Sequence, residues 1–137
     1  MDKEIFIDPK SIRVARRKYS SSLKNILEGC YCPFCIKNIK LNHKKPIFRE
    51  RNWLVTENMF PYTKNKHHLL FIAKRHVCRI EDLRKNEWRD LFELVNKYMK
   101  NRKIKNGGFF VKFGNTTSIK HLHFHVVQDT RISKVVI

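Results

Sequence analysis

The chain is short of acid. Its 137 residues carry 12 Asp and Glu against 30 Lys and Arg, a formal charge of +18. Between Pro9 and Leu27 there is no carboxylate, while Lys10, Arg13, Arg16, Arg17, Lys18 and Lys24 crowd that stretch. A second basic group holds Lys37, Lys40, Lys44, Lys45, Arg49 and Arg51. Such a balance attracts polyanions, whether nucleotides, nucleic acid or an anionic lipid surface, although a lysine-rich chain can also wear its charge as a plain solvated face. Also missing is any apolar run long enough to cross a bilayer. The start, Met1-Asp2-Lys3-Glu4, is charged and no apolar segment follows it, so no signal peptide, a soluble protein and a cytoplasmic location are expected. No internal repeat or low-complexity segment occurs. Strand and helix signals do not alternate regularly, which argues against a parallel doubly wound sheet.

What is present suits one globular domain, with 42% hydrophobic residues. Residues 11–27 read as a basic helix with Ile12, Ala15, Tyr19, Leu23, Ile26 and Leu27 roughly on one stripe, and Gly29 is a suitable stop. Trp53-Leu54-Val55-Thr56 and Leu69-Leu70-Phe71-Ile72-Ala73 read as strands, the second buried on both faces. Residues 86–100 form the clearest helix, N-capped by Asn86, with Trp88, Leu91, Phe92, Val95, Tyr98 and Met99 as its core stripe. Trp53 and Trp88 both fit the core. Asn106-Gly107-Gly108 is a turn signal before a strand at 109–113. This mixture predicts an α+β fold with a mostly antiparallel sheet, one long helix and an additional basic N-terminal helix. Residues 1–29 are expected as a helical extension packed on a domain of 30–137. The tail ends apolar at Val135-Val136-Ile137. Of four cysteines, Cys32 and Cys35 bracket a tight Cys-Pro-Phe-Cys knuckle, and in an intracellular chain they point to metal binding over a disulfide framework. A redox pair or two buried thiols would leave the same trace. Cys30 and Cys78 read as ordinary thiols, and His43 as a surface residue.

The most informative segment is His121-Leu122-His123-Phe124-His125-Val126-Val127. In an extended chain the side chains alternate, so the three imidazoles share one face and Leu122, Phe124 and Val126 the other. One face can anchor in a core while the other lines a cleft. Imidazole can serve there as nucleophile, proton donor or metal ligand.

That spelling resembles the signature of the histidine-triad superfamily in full. Upstream, Asn58-Met59-Phe60-Pro61-Tyr62 and the run from His68 to His76 are similar to the family's first block, and Ile80-Glu81-Asp82-Leu83 with the following helix to its linker and long helix. The resemblance implies a histidine-triad fold, often homodimeric, and hydrolysis or transfer of a nucleotide at its α-phosphate, usually of an adenylate. His123 matches the nucleophile that forms a transient nucleotidyl-imidazole, so its ring should be open to solvent and free of metal. His125 matches the residue that bonds a phosphate or leaving-group oxygen. His68 matches the upstream histidine that supports the triad, and Ser118 a hydroxyl near the leaving group. Asn58 resembles a ribose-side polar residue. Thr116 and Thr117 stand where the family's phosphate-binding loop commonly has glycine and glutamine. Within the zinc-binding branch the resemblance implies a structural zinc on Cys32, Cys35, His76 and His121, with every position filled by protein. The spelling is nearest to members acting on diadenosine polyphosphates and related nucleotides. Departures are Ala73 and Gln128 where proline is usual, His67 where glycine is usual, and a loop before His68 about two residues longer than usual. Ser118-Ile119-Lys120-His121 is also similar to the DNA-deadenylating, aprataxin-like branch, whose substrates are adenylated nucleic-acid ends. Arg13, Arg16, Arg17 and Lys18 are the candidate phosphate or nucleic-acid surface for that reading. A third reading is a non-enzymatic, zinc-containing nucleic-acid-binding module.

Overall fold

The computed structural model describes residues 17–29, 31–62 and 66–128. Its centre is a five-stranded sheet in the order β1-β2-β3-β5-β4, antiparallel at every pairing. The strands are β1 (Ile47–Glu50), β2 (Trp53–Glu57), β3 (His68–Ala73), β4 (Gly107–Val111) and β5 (His123–Gln128), and the helices α1 (Arg17–Gly29) and α2 (Lys85–Asn101). The architecture is the expected α+β class. Among the described residues no helix is long and apolar enough to cross a membrane.

Alternation along the strands builds two apolar layers. On one face Trp53, Val55, Leu69, Phe71, Phe124 and Val126 meet Leu91, Leu94, Val95 and Tyr98 of α2. On the other, Leu54, Leu70 and Ile72 meet Leu23 and Ile26 of α1, together with Cys32, Phe34, Ile39 and Ile119. All six residues of β3 are therefore buried, which is why its sequence is apolar without alternation. Trp53 is fully buried, and its indole N–H donates to the Glu87 carbonyl at 2.9 Å.

Several local expectations are corrected. The N-cap of α2 is Arg84, not Asn86, because the Glu87 carboxylate reaches back to accept the Arg84 N–H at 2.9 Å. Phe92 lies off the core stripe at 57% exposure, stacked on Trp88, while Leu94 takes the buried position. Strand β1, which pairs with the expected strand at Trp53 to form a hairpin, is not foreseen from the sequence. Its turn residue Arg51 adopts φ 45°, and its guanidinium is held by Asp90 at 2.9 Å and Glu93 at 2.5 Å on α2. The Gly107-Gly108 pair opens β4 instead of preceding it. A Cβ on Gly107 would stand 1.9 Å from the Val127 carbonyl oxygen, so the close pairing of β4 with β5 requires glycine there. β4 ends at Val111, short of Phe113. His43 is half-buried and its Nε2 lies 2.6 Å from the Thr56 hydroxyl, so it is not a plain surface residue. The helix read over 11–27 appears in its described part as Arg17–Gly29. Ile12, Ala15, Cys30 and the Val135-Val136-Ile137 tail lie outside the described residues.

Candidate active site and metal centre

β5 carries His123 and His125 opposite Ile72 and Leu70 of β3, on the sheet face turned away from α2. The two rings stand 5.0 Å apart. His68, the first residue of β3, brings its Nε2 to 2.8 Å from Nδ1 of His125. Asn58 completes the group: its amide nitrogen lies 3.4 and 3.3 Å from the two ring nitrogens of His68, and its oxygen accepts the Phe60 N–H at 2.9 Å. The structure thus brings together Asn58, His68, His123 and His125. The first triad histidine does not share the strand. His121 precedes β5, in a segment where Leu122 N–H donates to Val77 at 2.7 Å and its carbonyl accepts from Ala73 at 3.2 Å.

Hydrogen bonds fix the protons of these rings. Nδ1 of His123 lies 2.7 Å from the His121 carbonyl, which can only accept, so Nδ1 carries the hydrogen and Nε2 the lone pair. His123 is 8% exposed with Phe34 edge-on at 4.9 Å, which corrects the expectation of a solvent-open ring. Burial pulls its pKa down to about 4, so the ring is neutral at physiological pH. His68 Nδ1 accepts the Tyr62 N–H at 3.3 Å, which leaves the His68 hydrogen on Nε2, donated to Nδ1 of His125. The His125 hydrogen then sits on Nε2. That nitrogen is buried without a hydrogen-bond partner among the described residues, in a ring 4% exposed. Burial first, then the neighbouring charges of His123, His68 and Lys112, hold His125 well below the ordinary histidine value. The pair therefore sets a neutral ring with a lone pair on Nε2 beside an N–H donor without a partner among the described residues.

The loop before the triad is shaped by its own bonds. Gly114 takes φ 63°, the Thr116 hydroxyl donates to the Phe113 carbonyl at 2.7 Å, and the Thr117 hydroxyl donates to the Ile119 carbonyl at 3.1 Å. Both hydroxyl protons are thus taken by backbone carbonyls of the same loop, and the Thr116 N–H also donates to Phe113, at 3.3 Å. Ser118 is half-buried just upstream of His121. Among the described residues, none of Thr116, Thr117 and Ser118 is hydrogen-bonded to His123 or His125. Arg13 and Arg16 lie outside the described residues, and Arg17 and Lys18 open α1. His67, given no role from sequence, pairs with Glu57 at 2.9 Å.

Three further side chains border the histidines. Phe110 of β4 stacks on His125 at 4.9 Å and 7°. Tyr62 lies 4.5 Å from His68 and 5.9 Å from His125. The Lys112 ammonium stands 5.0 Å from the centre of the Tyr62 ring. Period-two alternation does put 110 and 112 on one face, but nothing in the sequence says that the face meets the triad.

Beyond His121 lies the second centre. The donor atoms of Cys32, Cys35, His76 and His121 all fall within 4.8 Å of one another. The two Nδ1 atoms are 3.1 Å apart, Cys32 Sγ is 3.3 Å from Nδ1 of His121, and Cys35 Sγ is 3.3 and 3.8 Å from Nδ1 of His76 and His121. A tetrahedral zinc with ordinary bond lengths needs about 3.4 Å between nitrogens and about 3.6 Å between nitrogen and sulfur. Nε2 of His121 lies 2.6 Å from the Ala73 carbonyl and must donate to it, so the Nδ1 lone pair points into the cluster. Converging lone pairs and thiols make a cation site, and the four residues fit a metal of this kind. Burial raises the Cys32 thiol to about 12 and lowers His121 to about 4, the directions that a bound cation would offset for the thiol and share for the imidazole. Cys78 is exposed, and its Sγ lies 3.1 Å from the Lys120 carbonyl.

The comparisons with known proteins agree with this geometry. A family profile described as "Scavenger mRNA decapping enzyme C-term binding" matches residues 31–135. A HIT family hydrolase from Clostridium thermocellum shares the fold at TM-score 0.58 and 22% identity, over 72% of this chain and 90% of that one. A histidine triad nucleotide-binding protein from Candida albicans does so at TM-score 0.61 and 21% identity, over 72% and 76%. A zinc-bound histidine triad family protein from Mycobacterium smegmatis does so at TM-score 0.56 and 16% identity, over 69% and 73%. No curated protein matches the sequence significantly. With nearly its whole described length inside one family profile, and its fold shared with histidine-triad proteins, the chain belongs to the scavenger decapping enzyme C-terminal family of the histidine-triad superfamily.

Proposed function

We propose that the protein is a nucleotide hydrolase or nucleotidyltransferase that works at an α-phosphate, most naturally of an adenylate, through a covalent nucleotidyl-His123 intermediate. One observation carries the reading: a neutral imidazole with its lone pair on Nε2 stands beside a buried His125 N–H that no atom of the described residues accepts. Nε2 of His123 attacks phosphorus, a P–N bond forms, and the bond to the leaving oxygen breaks. The new imidazolium keeps its Nδ1–H on the His121 carbonyl, which stabilises the positive charge. His125 gives its Nε2 hydrogen bond to the departing oxygen. Water or another acceptor then attacks phosphorus, the P–N bond breaks, and the mononucleotide leaves. Asn58 and His68 orient His125, and the loop of Thr116, Thr117 and Ser118, just before the triad in the chain, is the segment expected to hold phosphate.

Zinc is the metal that Cys32, Cys35, His76 and His121 suit best, and its part is structural, with four protein ligands and no bound water. Its likeness to the zinc-bound relative supports this. The homodimer that the resemblance implies would use α2 and the edge strand β4, where Phe92 and Phe109 are exposed. Intact mass spectrometry after incubation with an adenylate panel tests the reading. Wild type gains the mass of one nucleotidyl group or releases AMP, and His123→Ala does neither. A folded wild type with no adduct and no turnover on any nucleotide would overturn it.

The net charge of +18 favours a second reading, the same chemistry on adenylated or capped nucleic-acid ends. Charge reversal at Arg13, Arg16, Arg17 and Lys18 should then abolish turnover of adenylated oligonucleotides, with a steep salt dependence, while small nucleotides are still processed.

A further inference from the structure

β4 and β5 are paired as far as Val111 opposite Phe124. Lys112 directly follows the end of β4, one residue past that pair, at the His123 end of β5. It shares a strand face with Phe110, whose ring is stacked on His125. Its ammonium lies over Tyr62, 5.0 Å from the ring centre, and that ring borders both His68 and His125. Lys112 is half-buried and forms no ion pair among the described residues. A cation in such a place gains something from the tyrosine face, but among the described residues its charge has no protein counterpart.

An anion from outside the protein resolves this. His125 offers one N–H to one oxygen. Lys112 offers three N–H donors and a full charge. An α-phosphate with an uncharged leaving group brings a single negative charge, which the N–H and the loop amides can meet. A phosphate or polyphosphate leaving group brings further negative oxygens that need a cation. We infer that Lys112, held over Tyr62, is a phosphate-binding residue of this site and selects substrates whose leaving group is itself a phosphate or polyphosphate. The inference rests on the reading of His123 as the nucleophile for its kinetic half, but its binding half can be measured without turnover.

The test uses the full chain and two substrates with the same adenosine α-phosphate, adenosine 5′-phosphoramidate and diadenosine tetraphosphate. Lys112→Met should lower kcat/KM for the tetraphosphate by about 10- to 100-fold, the range of one charge-assisted hydrogen bond, and that for the phosphoramidate by less than about threefold. Lys112→Arg should recover most of the loss. In parallel, calorimetric binding of inorganic pyrophosphate should weaken by a similar factor in Lys112→Met but not in Lys85→Met, an exposed lysine at the start of α2 beyond the opposite sheet face. Equal losses on both substrates, or pyrophosphate affinity indifferent to Lys112, would overturn the inference. If wild type turns over neither substrate yet loses pyrophosphate binding with Lys112, the assignment of the anion site stands and the catalytic reading falls. An unchanged circular-dichroism spectrum and melting midpoint separate these outcomes from misfolding.

Discussion

His68 is bonded to His125, and its substitution should slow the chemistry proposed for His123. In His68→Phe the N–H that now reaches Nδ1 of His125 at 2.8 Å is gone. Nδ1 is then a buried acceptor with no donor, a state that costs about 1–3 kcal/mol. The ring escapes that cost by moving its own proton to Nδ1. Nε2 would then face the leaving oxygen with a lone pair instead of a hydrogen. Loss of one hydrogen bond to an oxygen gathering negative charge corresponds to about 1.5–3 kcal/mol, or roughly a 10- to 150-fold slower formation of the nucleotidyl adduct. Rapid-quench mass spectrometry measures that step directly, and nitrogen-15 NMR of the His125 ring reports which nitrogen is protonated. His68→Gln, whose amide can donate in the same direction, should recover part of the rate. Adduct formation within twofold of wild type in His68→Phe would refute the argument. So would a slowed variant in which His125 still carries its hydrogen on Nε2, since the tautomer would then not be the cause.

Two further outcomes follow from the same structure. Native mass spectrometry should find one zinc per chain, and Cys35→Ser should lose it. A metal present at a thousandfold over its dissociation constant adds about 4 kcal/mol, so chelation should lower Tm by about 10 to 25 °C. Because Cys32 and Cys35 bracket Phe34, which packs edge-on to His123, the zinc-free protein should also show a broadened His123 NMR signal; a melting curve unmoved by chelation would contradict the site. Acid should weaken the fold partly through Glu87. Burial pushes this carboxyl up, but the Arg75 guanidinium at 2.7 Å and the Arg84 N–H at 2.9 Å prevail and hold it below the usual range. A group with a depressed folded pKa stabilises the protein above its unfolded value, about 4.3, and the contribution is lost as the pH falls through the folded value. Glu87→Gln should therefore be less stable than wild type at pH 7 in urea titrations, with the gap closing towards pH 3; a gap of constant size would rule the linkage out.

The local parts of this protein can be read from its residues one segment at a time. The apolar period of α2, the continuous run of β3 and the alternation through His121 to Val127 each depend on neighbours in the chain, and each marks its element within a few residues. The ligand quartet was legible as well, because Cys-x-x-Cys and the histidines at 76 and 121 sit at positions that match a family pattern. Other features escaped. β1 has two exposed and two half-buried residues, so its sequence lacks a buried face to announce it. The N-cap at Arg84 arises from a carboxylate three residues on, not from the capping residue's own chemistry. Phe34 reads as part of a metal knuckle until the fold sets it against His123.

The sequence by itself determined the kinds of groups available: three alternating imidazoles, a thiol pair, a surplus of positive charge and two amphipathic faces. Only the tertiary structure decided which nitrogen of each ring holds its hydrogen, and that Lys112 lies over Tyr62, whose ring borders His68 and His125. Proton placement depends on which donor or acceptor lies within hydrogen-bond reach, and here the partners come from Tyr62, His68 and the His121 carbonyl, brought to β5 by chain pairing. Local periodicity fixes the face on which a side chain lies; what that face meets is set by long-range packing.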